Sequence, residues 1–157
     1  MTAAQAAAAL AGLMFVGLSI NLEMIMANLR YRWAGRALEA LVLLVAVLIA
    51  STLLIAPAQG TVVAALEVLV VGMANWAAIV VIQLLQLRNW HSLEANLRPY
   101  FVARVALGQV ATLPFVAAGI AVLSWGLSGL YLLEAGVVLS FLAAGASAWI
   151  LLIEINR

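Results

Sequence analysis

Five long apolar segments, separated by short breaks, follow one another along the chain. A helix needs about 20 residues to cross the ~30 Å hydrocarbon core of a bilayer, and each segment reaches that length. Pro57, Gly60, Pro99, Gly126 and Gly129 lie at the breaks and favour turns there. The pattern predicts an all-α integral membrane protein in which residues 1–157 form a single domain, a bundle of five transmembrane helices. The predicted helices span about 3–28, 37–56, 61–87, 100–123 and 129–155.

The longest break, between the third and fourth helices, has a pattern of its own. Trp90, Leu93 and Leu97 recur at helical spacing, polar residues occupy the other positions, and Ser92 is suited to cap a helix start. This predicts a short amphipathic helix at the membrane surface near 90–97, with an ordered loop as the alternative.

The positive charges are distributed unevenly among the breaks. Positively charged segments stay cytoplasmic during membrane insertion. With five helices and the N-terminus outside, every arginine faces the cytoplasm, whereas four helices would place Arg157 on the other side. The predicted topology therefore has the N-terminus outside and the C-terminus cytoplasmic, in a membrane such as the bacterial inner membrane. The seven arginines are Arg30, Arg32, Arg36, Arg88, Arg98, Arg104 and Arg157.

Composition removes several classes of function. The chain is 68% hydrophobic and 8% charged, against about 25% charged residues in soluble domains. It contains no cysteine, aspartate or lysine and one histidine, His91. These counts, and the lack of any hydrolase, zinc or phosphate-binding motif, indicate a protein that is not an enzyme and holds no metal or other cofactor. The net charge of +1 argues against nucleic acid as a partner.

Ionisable side chains within predicted membrane helices require a partner or a purpose, since a charge in the bilayer is costly. Glu23 and Arg104 are expected at similar depth near the cytoplasmic side, on the first and fourth helices. A salt bridge that locks these helices is one interpretation, and a gate or ion-coordinating site is another. In a third, the two do not meet and Arg104 reaches the interface.

Glu67 and Glu134 lie at equal depth, about 8 Å from the opposite end of the third and fifth helices. Two carboxylates at one level without a cation either stay protonated or bind something positive. Converging carboxylates would suit a proton relay or cation site. The alternative is two separate protonated side chains, each hydrogen-bonded to a neighbouring helix.

Neutral polar residues lie between these two ends. Asn75 and Gln109 form the middle of a predicted ion pathway that runs from Glu67 and Glu134 to Glu23 and Arg104. Ordinary hydrogen bonds between helices are the alternative interpretation of the same residues. Two stripes of small residues predict packing faces, within the chain or between chains: Ala4, Ala8 and Gly12 on the first helix, and Gly136, Ser140, Ala144 and Ala148 on the fifth.

The favoured function is a channel or transporter for protons or small cations. Five helices do not enclose a wide pore, so conduction would need self-association. The first alternative is a non-catalytic subunit that stabilises a larger membrane complex through the small-residue faces. The second is a protein that binds lipid or another hydrophobic ligand between helices, beside Trp76 and Trp149.

Overall fold

The structure, a computed structural model, describes residues 2–20, 31–55, 60–88 and 98–155. These ranges are helical and contain no strand, which confirms the predicted all-α class. The predicted surface helix near 90–97 and the predicted end of the first helix lie outside them. The elements are α1 (Ala3–Ile20), α2 (Tyr31–Leu53), α3 (Thr61–Leu87), α4 (Arg98–Trp125), a 3-10 turn (Gly126–Gly129) and α5 (Leu130–Ile155).

The helices have the length and surface of membrane spans. Gly35–Leu53, Thr61–Leu87 and Arg98–Ile150 are apolar helical segments long enough to cross a bilayer, and the third contains α4, the 3-10 turn and most of α5. Large apolar side chains are exposed on the helices; Leu13 is 70% exposed and Trp149 is 67% exposed. An apolar exterior is what a hydrocarbon environment demands. The chain is therefore consistent with a membrane protein, while the count of five spans stays a prediction.

Helix boundaries agree with the prediction where hydropathy and helix ends coincide. The bounds of α3 are those predicted. In contrast, α2 begins at Tyr31 rather than at 37, so that Arg32 and Arg36 lie within the helix. Hydropathy marks where the apolar part of a helix starts, and helical hydrogen bonding extends beyond it. Likewise, α4 includes Pro99 in its first turn, where a missing N–H breaks no helical hydrogen bond.

Four of the helices form a ring. In it α2 packs against α3, α3 against α4, α4 against α5 and α5 against α2. As a result α2 and α4 lie across the ring from each other, as do α3 and α5. The remaining helix, α1, packs outside the ring, mainly against α2. We call the end with the starts of α2 and α4 the inner end, after the predicted topology, and the opposite end the outer end.

Glycines set the closest approach between helices. A Cβ on Gly72 of α3 would lie 2.8 Å from the carbonyl carbon of Phe115 on α4, and a Cβ on Gly119 of α4 would lie 2.7 Å from the Cα of Leu69. At Gly136 of α5 a Cβ would lie 2.8 Å from the Phe115 ring. Backbones in contact strengthen packing between helices in lipid, where there is little hydrophobic drive for association.

The two predicted small-residue stripes differ in whether they pack within the bundle. On α5, Gly136, Ser140 and Ala144 are buried within the bundle, as a packing face requires. On α1, Ala8 and Gly12 lie on the side away from the main contacts, and the residues that pack against the ring are Ala3, Ala7, Ala11 and Met14. The packing side of α1 within this chain is thus rotated away from the predicted stripe.

The apolar interior has two main layers. The Phe115 layer, nearer the outer end, also contains Val47, Val68 and Leu133. The Ile79 layer, nearer the inner end, is formed by Leu43, Ile79, Ala111 and Ala143.

Candidate functional site

A buried ion pair crosses the ring near its inner end. Arg104 of α4 contacts Glu39 of α2 at two points: its Nη2 lies 2.7 Å from Oε1, and its Nε donates to Oε2 at 2.8 Å. The side chains are 11% and 7% exposed. This two-point geometry uses the planar fork of arginine, and each charge offsets the cost of burying the other.

Among the described residues, the partner of Arg104 is Glu39. Glu23 lies outside the described residues, whereas Glu39 satisfies Arg104 directly. Hydropathy did not reveal Glu39, because a second helix starting at 37 would leave this residue at the membrane surface. With α2 beginning at Tyr31, Glu39 lies about 12 Å into the helix. The sequence signal that could have placed Glu39 inside a helix is the run Tyr31–Ala40, because it contains no proline to interrupt the helix.

A row of hydrogen bonds joins α3 to α4. The indole Nε1 of Trp76 donates to Oε1 of Gln109 at 2.9 Å, and Nε2 of Gln109 donates to Oε1 of Gln83 at 2.7 Å. Nε2 of Gln83 in turn lies 3.5 Å from the carbonyl oxygen of Val105, which accepts from it. Val105 follows Arg104 in the chain, so the row ends beside the ion pair. It connects two helices and gives Gln109 a structural partner in Trp76.

Gly108 makes room for this row. A Cβ at position 108 would lie 2.7 Å from Nε2 of Gln83. A similar contact exists between α2 and α3, where the Gln86 side chain lies directly against Gly35. Nε2 of Gln86 is buried and has no hydrogen-bond partner among the described residues. Long amides of α3 thus cover glycines on both neighbouring helices.

The middle of the bundle contains three buried polar residues, Asn75 of α3, Thr112 of α4 and Ser140 of α5. The Thr112 hydroxyl donates within its own helix, to the carbonyl oxygens of Gly108 and Gln109. In contrast, neither amide atom of Asn75 nor Oγ of Ser140 has a hydrogen-bond partner among the described residues. We call these three residues the central polar layer. The sequence pattern assigned Asn75 to the pathway but marked Ser140 only as a small packing residue.

The outer carboxylates are not brought together inside the ring. Glu67 on α3 is half-buried, and Glu134 on α5 is exposed on the surface of the bundle. Their helices lie across the ring from each other. Within one chain, Glu67 and Glu134 therefore do not form a site inside the ring. The exposed Glu134 side chain is available to a neighbouring molecule.

The tryptophans predicted to border a ligand site also lie apart. Trp76 is held against Gln109, while Trp149 is 67% exposed. Within the described ranges no group of three His, Cys, Asp or Glu residues is placed to hold a metal ion. The described geometry thus consists of an inner ion pair, a hydrogen-bonded row and a central polar layer. The chain matches no protein-family model, no curated protein and no solved structure.

Proposed function

We propose that the chain is a subunit of an oligomeric channel or transporter that passes protons or small cations across a membrane. The observation that supports this proposal is the contrast between an apolar exterior and buried polar groups at several depths. A bundle that serves only as a membrane anchor has no need for Asn75 and Ser140 in its centre. Buried polar groups without partners call for an explanation, and a polar species in transit supplies one.

In this proposal the polar residues form successive steps. Glu67 and Glu134 lie at the outer end, Asn75 at the centre, and Gln109 between the centre and the inner end. Arg104 with Glu39 closes the inner end, in place of the predicted pair of Arg104 with Glu23. A buried arginine–carboxylate pair across the ring blocks the interior while it is formed and opens it when the pair separates. Glu23, which lies outside the described residues, is part of the proposed pathway at the same inner end.

The proposed membrane arrangement follows the predicted topology. All five helices would cross the bilayer, with the N-terminus outside and the C-terminus in the cytoplasm, in the inner membrane of a bacterium. Self-association is part of the proposal, because Glu134 is exposed on a largely apolar surface. A carboxylate facing lipid is costly unless it is protonated or covered, and a second copy of the chain would cover it.

The test is ion flux into liposomes that contain the purified protein. We expect flux of protons, sodium or potassium from the unaltered chain and its loss in Glu67→Gln or Glu134→Gln. Ser124→Ala is the control, since this exposed hydroxyl donates to the carbonyl oxygen of Ile120 within its own helix. Absence of flux for all three ions, with protein shown to be folded, would contradict the proposal.

A second candidate is a non-conducting subunit that stabilises a larger membrane complex. The observation that favours it is the position of Ala8 and Gly12 on the open side of α1, because a Cβ at Gly12 would meet nothing within 4 Å. Such a surface suits a partner helix. Co-purification of a stoichiometric partner from native membranes, together with absence of flux, would favour this candidate over the first.

A further inference from the structure

Exposed aromatic side chains lie at both ends of the α4–α5 pair. Tyr100 near the inner end of α4 is 69% exposed, and Trp149 in the inner part of α5 is exposed to a similar degree. At the other end, Trp125 of α4 and Tyr131 of α5 are each 74% exposed. Tyrosine and tryptophan favour the boundary between hydrocarbon and headgroups, because an apolar ring and a polar group occur in one side chain. This distribution is typical of helices held at two membrane surfaces.

The packing of α4 against α5 places the two inner aromatic residues at one level. A four-residue turn joins these helices, so they run antiparallel, and Gly136 of α5 lies against Phe115 of α4. Trp149 follows Gly136 by 13 residues, and the residue 13 before Phe115 is Val102. At 1.5 Å per residue, Trp149 is therefore level with Val102 and within about 3 Å of Tyr100 along the helix axis.

Arginines lie at this inner level as well. α3 runs antiparallel to α4, and Gly72 of α3 lies against Phe115 of α4. Counting 16 residues inward from this contact reaches Arg88 on α3 and Pro99 on α4. Arg88 and Arg98, both exposed, thus share the level of the inner aromatic residues. Because guanidinium groups bind phosphate, this level is suited to a layer of phospholipid headgroups.

The exposed surface outward of this level is apolar. Every exposed residue of α4 within 102–123 is apolar, and the same holds for α3 within 62–87. On α5 the exposed side chains between Tyr131 and Trp149 are also apolar, with the exception of Glu134. A surface of this length and composition suits contact with hydrocarbon.

Tyr131 and Trp149 lie on the same side of α5. They are 18 residues apart, which corresponds to about five full turns. Their separation along the axis is about 27 Å, close to the ~30 Å thickness of a hydrocarbon core. Val138 and Leu142 are exposed on this side between them. We call these four residues the α5 stripe; Trp125 lies further outward, where the headgroups of the outer surface would be.

We propose that the hydrocarbon core of a phospholipid bilayer covers α3, α4 and α5 from the level of Tyr131 to the level of Trp149. These two residues lie in its two headgroup boundaries, and the inner boundary also contains Tyr100, Arg88 and Arg98. The inference rests on the membrane location within the proposed function. It does not rest on transport, because a non-conducting bundle would lie at the same depth.

The proposed boundaries place the ion pair of Arg104 and Glu39 within the hydrocarbon core. Arg104 is four residues outward of Tyr100 on α4, which is about 6 Å along the axis. A charge at this depth is out of reach of the headgroup layer and is costly unless protein covers it. The position of the pair inside the ring supplies that cover.

The experiment is site-directed spin labelling of the full chain in phospholipid liposomes. The chain contains no cysteine, so each single variant carries one label. Oxygen concentrates in hydrocarbon and a nickel chelate stays in water, so their collisions with the label, measured by electron paramagnetic resonance, report its depth. We expect the ratio of oxygen to nickel collisions to be several-fold higher in the middle of the α5 stripe than at its ends. The variants are Tyr131→Cys, Val138→Cys, Leu142→Cys and Trp149→Cys.

Two results would overturn the proposal. A ratio that rises steadily from one end of the α5 stripe to the other would place the centre of the bilayer elsewhere. Labels that neither reagent reaches would mean that a second copy or another protein covers this side of α5. Absence of ion flux together with the expected depth profile would contradict the proposed function alone, so the two failures are distinguishable.

A second measurement keeps the residues at both boundaries in place. In a chain whose other four tryptophans are replaced by phenylalanine, the fluorescence of Trp149 is quenched with brominated lipids. Bromine near the glycerol should quench this fluorescence more than bromine near the end of the acyl chain. Leu142→Trp, made in the same chain with Trp149→Phe, is the matched control and should show the opposite order. Stronger quenching of Trp149 by the deeper bromine, in protein shown to be folded by circular dichroism, would overturn the inner boundary.

Discussion

Two opposite charges lie inside the ring at Glu39 and Arg104, in surroundings where either one alone is poorly solvated. Their two contacts and their low exposure make the pair mutually dependent. Removing one partner leaves an uncompensated buried charge, which typically costs about 3–5 kcal/mol. Replacing both with apolar residues of similar volume removes the charge altogether, and this is often neutral.

We expect Arg104→Met to lower the free energy of unfolding by about 3 kcal/mol or more. The double variant with Glu39→Met should recover most of that loss. The measurement is reversible unfolding of the protein in bicelles, followed by circular dichroism. Equal stability of Arg104→Met and the unaltered chain would show that the ion pair does not form in the bilayer.

Gln109 is the central link of the row between α3 and α4, since it accepts from Trp76 and donates to Gln83. In Gln109→Leu the indole N–H loses its acceptor, and the shared link between two helices is removed. Each interhelical hydrogen bond contributes about 0.6 kcal/mol on average, so the expected loss of stability is about 1 kcal/mol.

The readout that identifies this link is tryptophan fluorescence. Gln109→Leu should shift the emission of Trp76 to shorter wavelength, because its indole leaves a polar contact. In a Trp76→Phe background the same exchange should leave the remaining emission unchanged. A shift that persists without Trp76 would mean that Gln109 acts on the fold elsewhere.

At the scale of the helices, contact between backbones is the main feature of the α3–α4 pair. A Cβ at Gly72 or Gly119 would lie closer than 3.0 Å to backbone atoms of the facing helix, which have no room to move aside. Gly119→Ala should therefore destabilise the bundle by about 1–3 kcal/mol through overpacking. Thermal unfolding in detergent measures this effect.

The matched control is the same exchange on an open surface. Gly12→Ala on α1 meets nothing within 4 Å, and alanine is favoured over glycine in a helix by up to about 1 kcal/mol. We expect it to be neutral or stabilising. If both variants lost stability equally, the glycines would matter for backbone flexibility and not for close approach.

How far the sequence predicts these elements depends on what each pattern encodes. Apolar length and breaks predict α3 within its observed bounds and locate the turn before α5, because a bilayer requires a minimum length. The predicted start of α2 was wrong, since polar helical residues at its inner end carry no hydropathy signal. Small-residue spacing found the buried side of α5, yet on α1 the packing side is offset by one residue. The spacing of small residues identifies a stripe on a helix, but it does not identify the neighbouring helix that packs against this stripe.

The residues of the candidate site were likewise only partly predictable from the sequence. Residue number along the third helix predicts the depth of Asn75, whereas its burial, at 5% exposed, is known from the structure alone. Pairing depends on the rotation of each helix and on which helices are adjacent. This is why Arg104 pairs with Glu39 and why Glu134 is exposed, although both were expected in a shared pathway. Neither rotation nor adjacency is encoded in a single apolar stretch.

At the scale of the whole molecule, the arginines at the inner end make orientation testable. Arg36, Arg88, Arg98 and Arg104 lie at the starts of α2 and α4 or at the end of α3. If this end is cytoplasmic, a reporter fused after Arg157 is active in the cytoplasm and inactive outside. Activity outside would place the inner end outside and would overturn the predicted topology.

The exposed Glu134 makes a prediction about assembly. It lies on a bundle whose surface is largely apolar, five residues into α5 from the outer end. A second copy that covers this carboxylate would remove it from lipid and add a contact specific to the oligomer. We therefore expect the unaltered chain to form an oligomer in mild detergent, and Glu134→Lys to shift it toward the monomer, since the lysine would place a longer side chain with an unpaired positive charge in the buried contact.

Native mass spectrometry measures the distribution directly, as multiples of the chain mass. Tyr131→Lys is the matched control, because it introduces a positive charge one turn away at a position of α5 that is 74% exposed. Loss of the oligomer in Glu134→Lys alone would place Glu134 in the contact between copies. Loss in both variants would assign the contact to the surface around α5 without a special role for the carboxylate. An oligomer that withstands both changes would mean that the copies meet at a surface away from Glu134 and Tyr131.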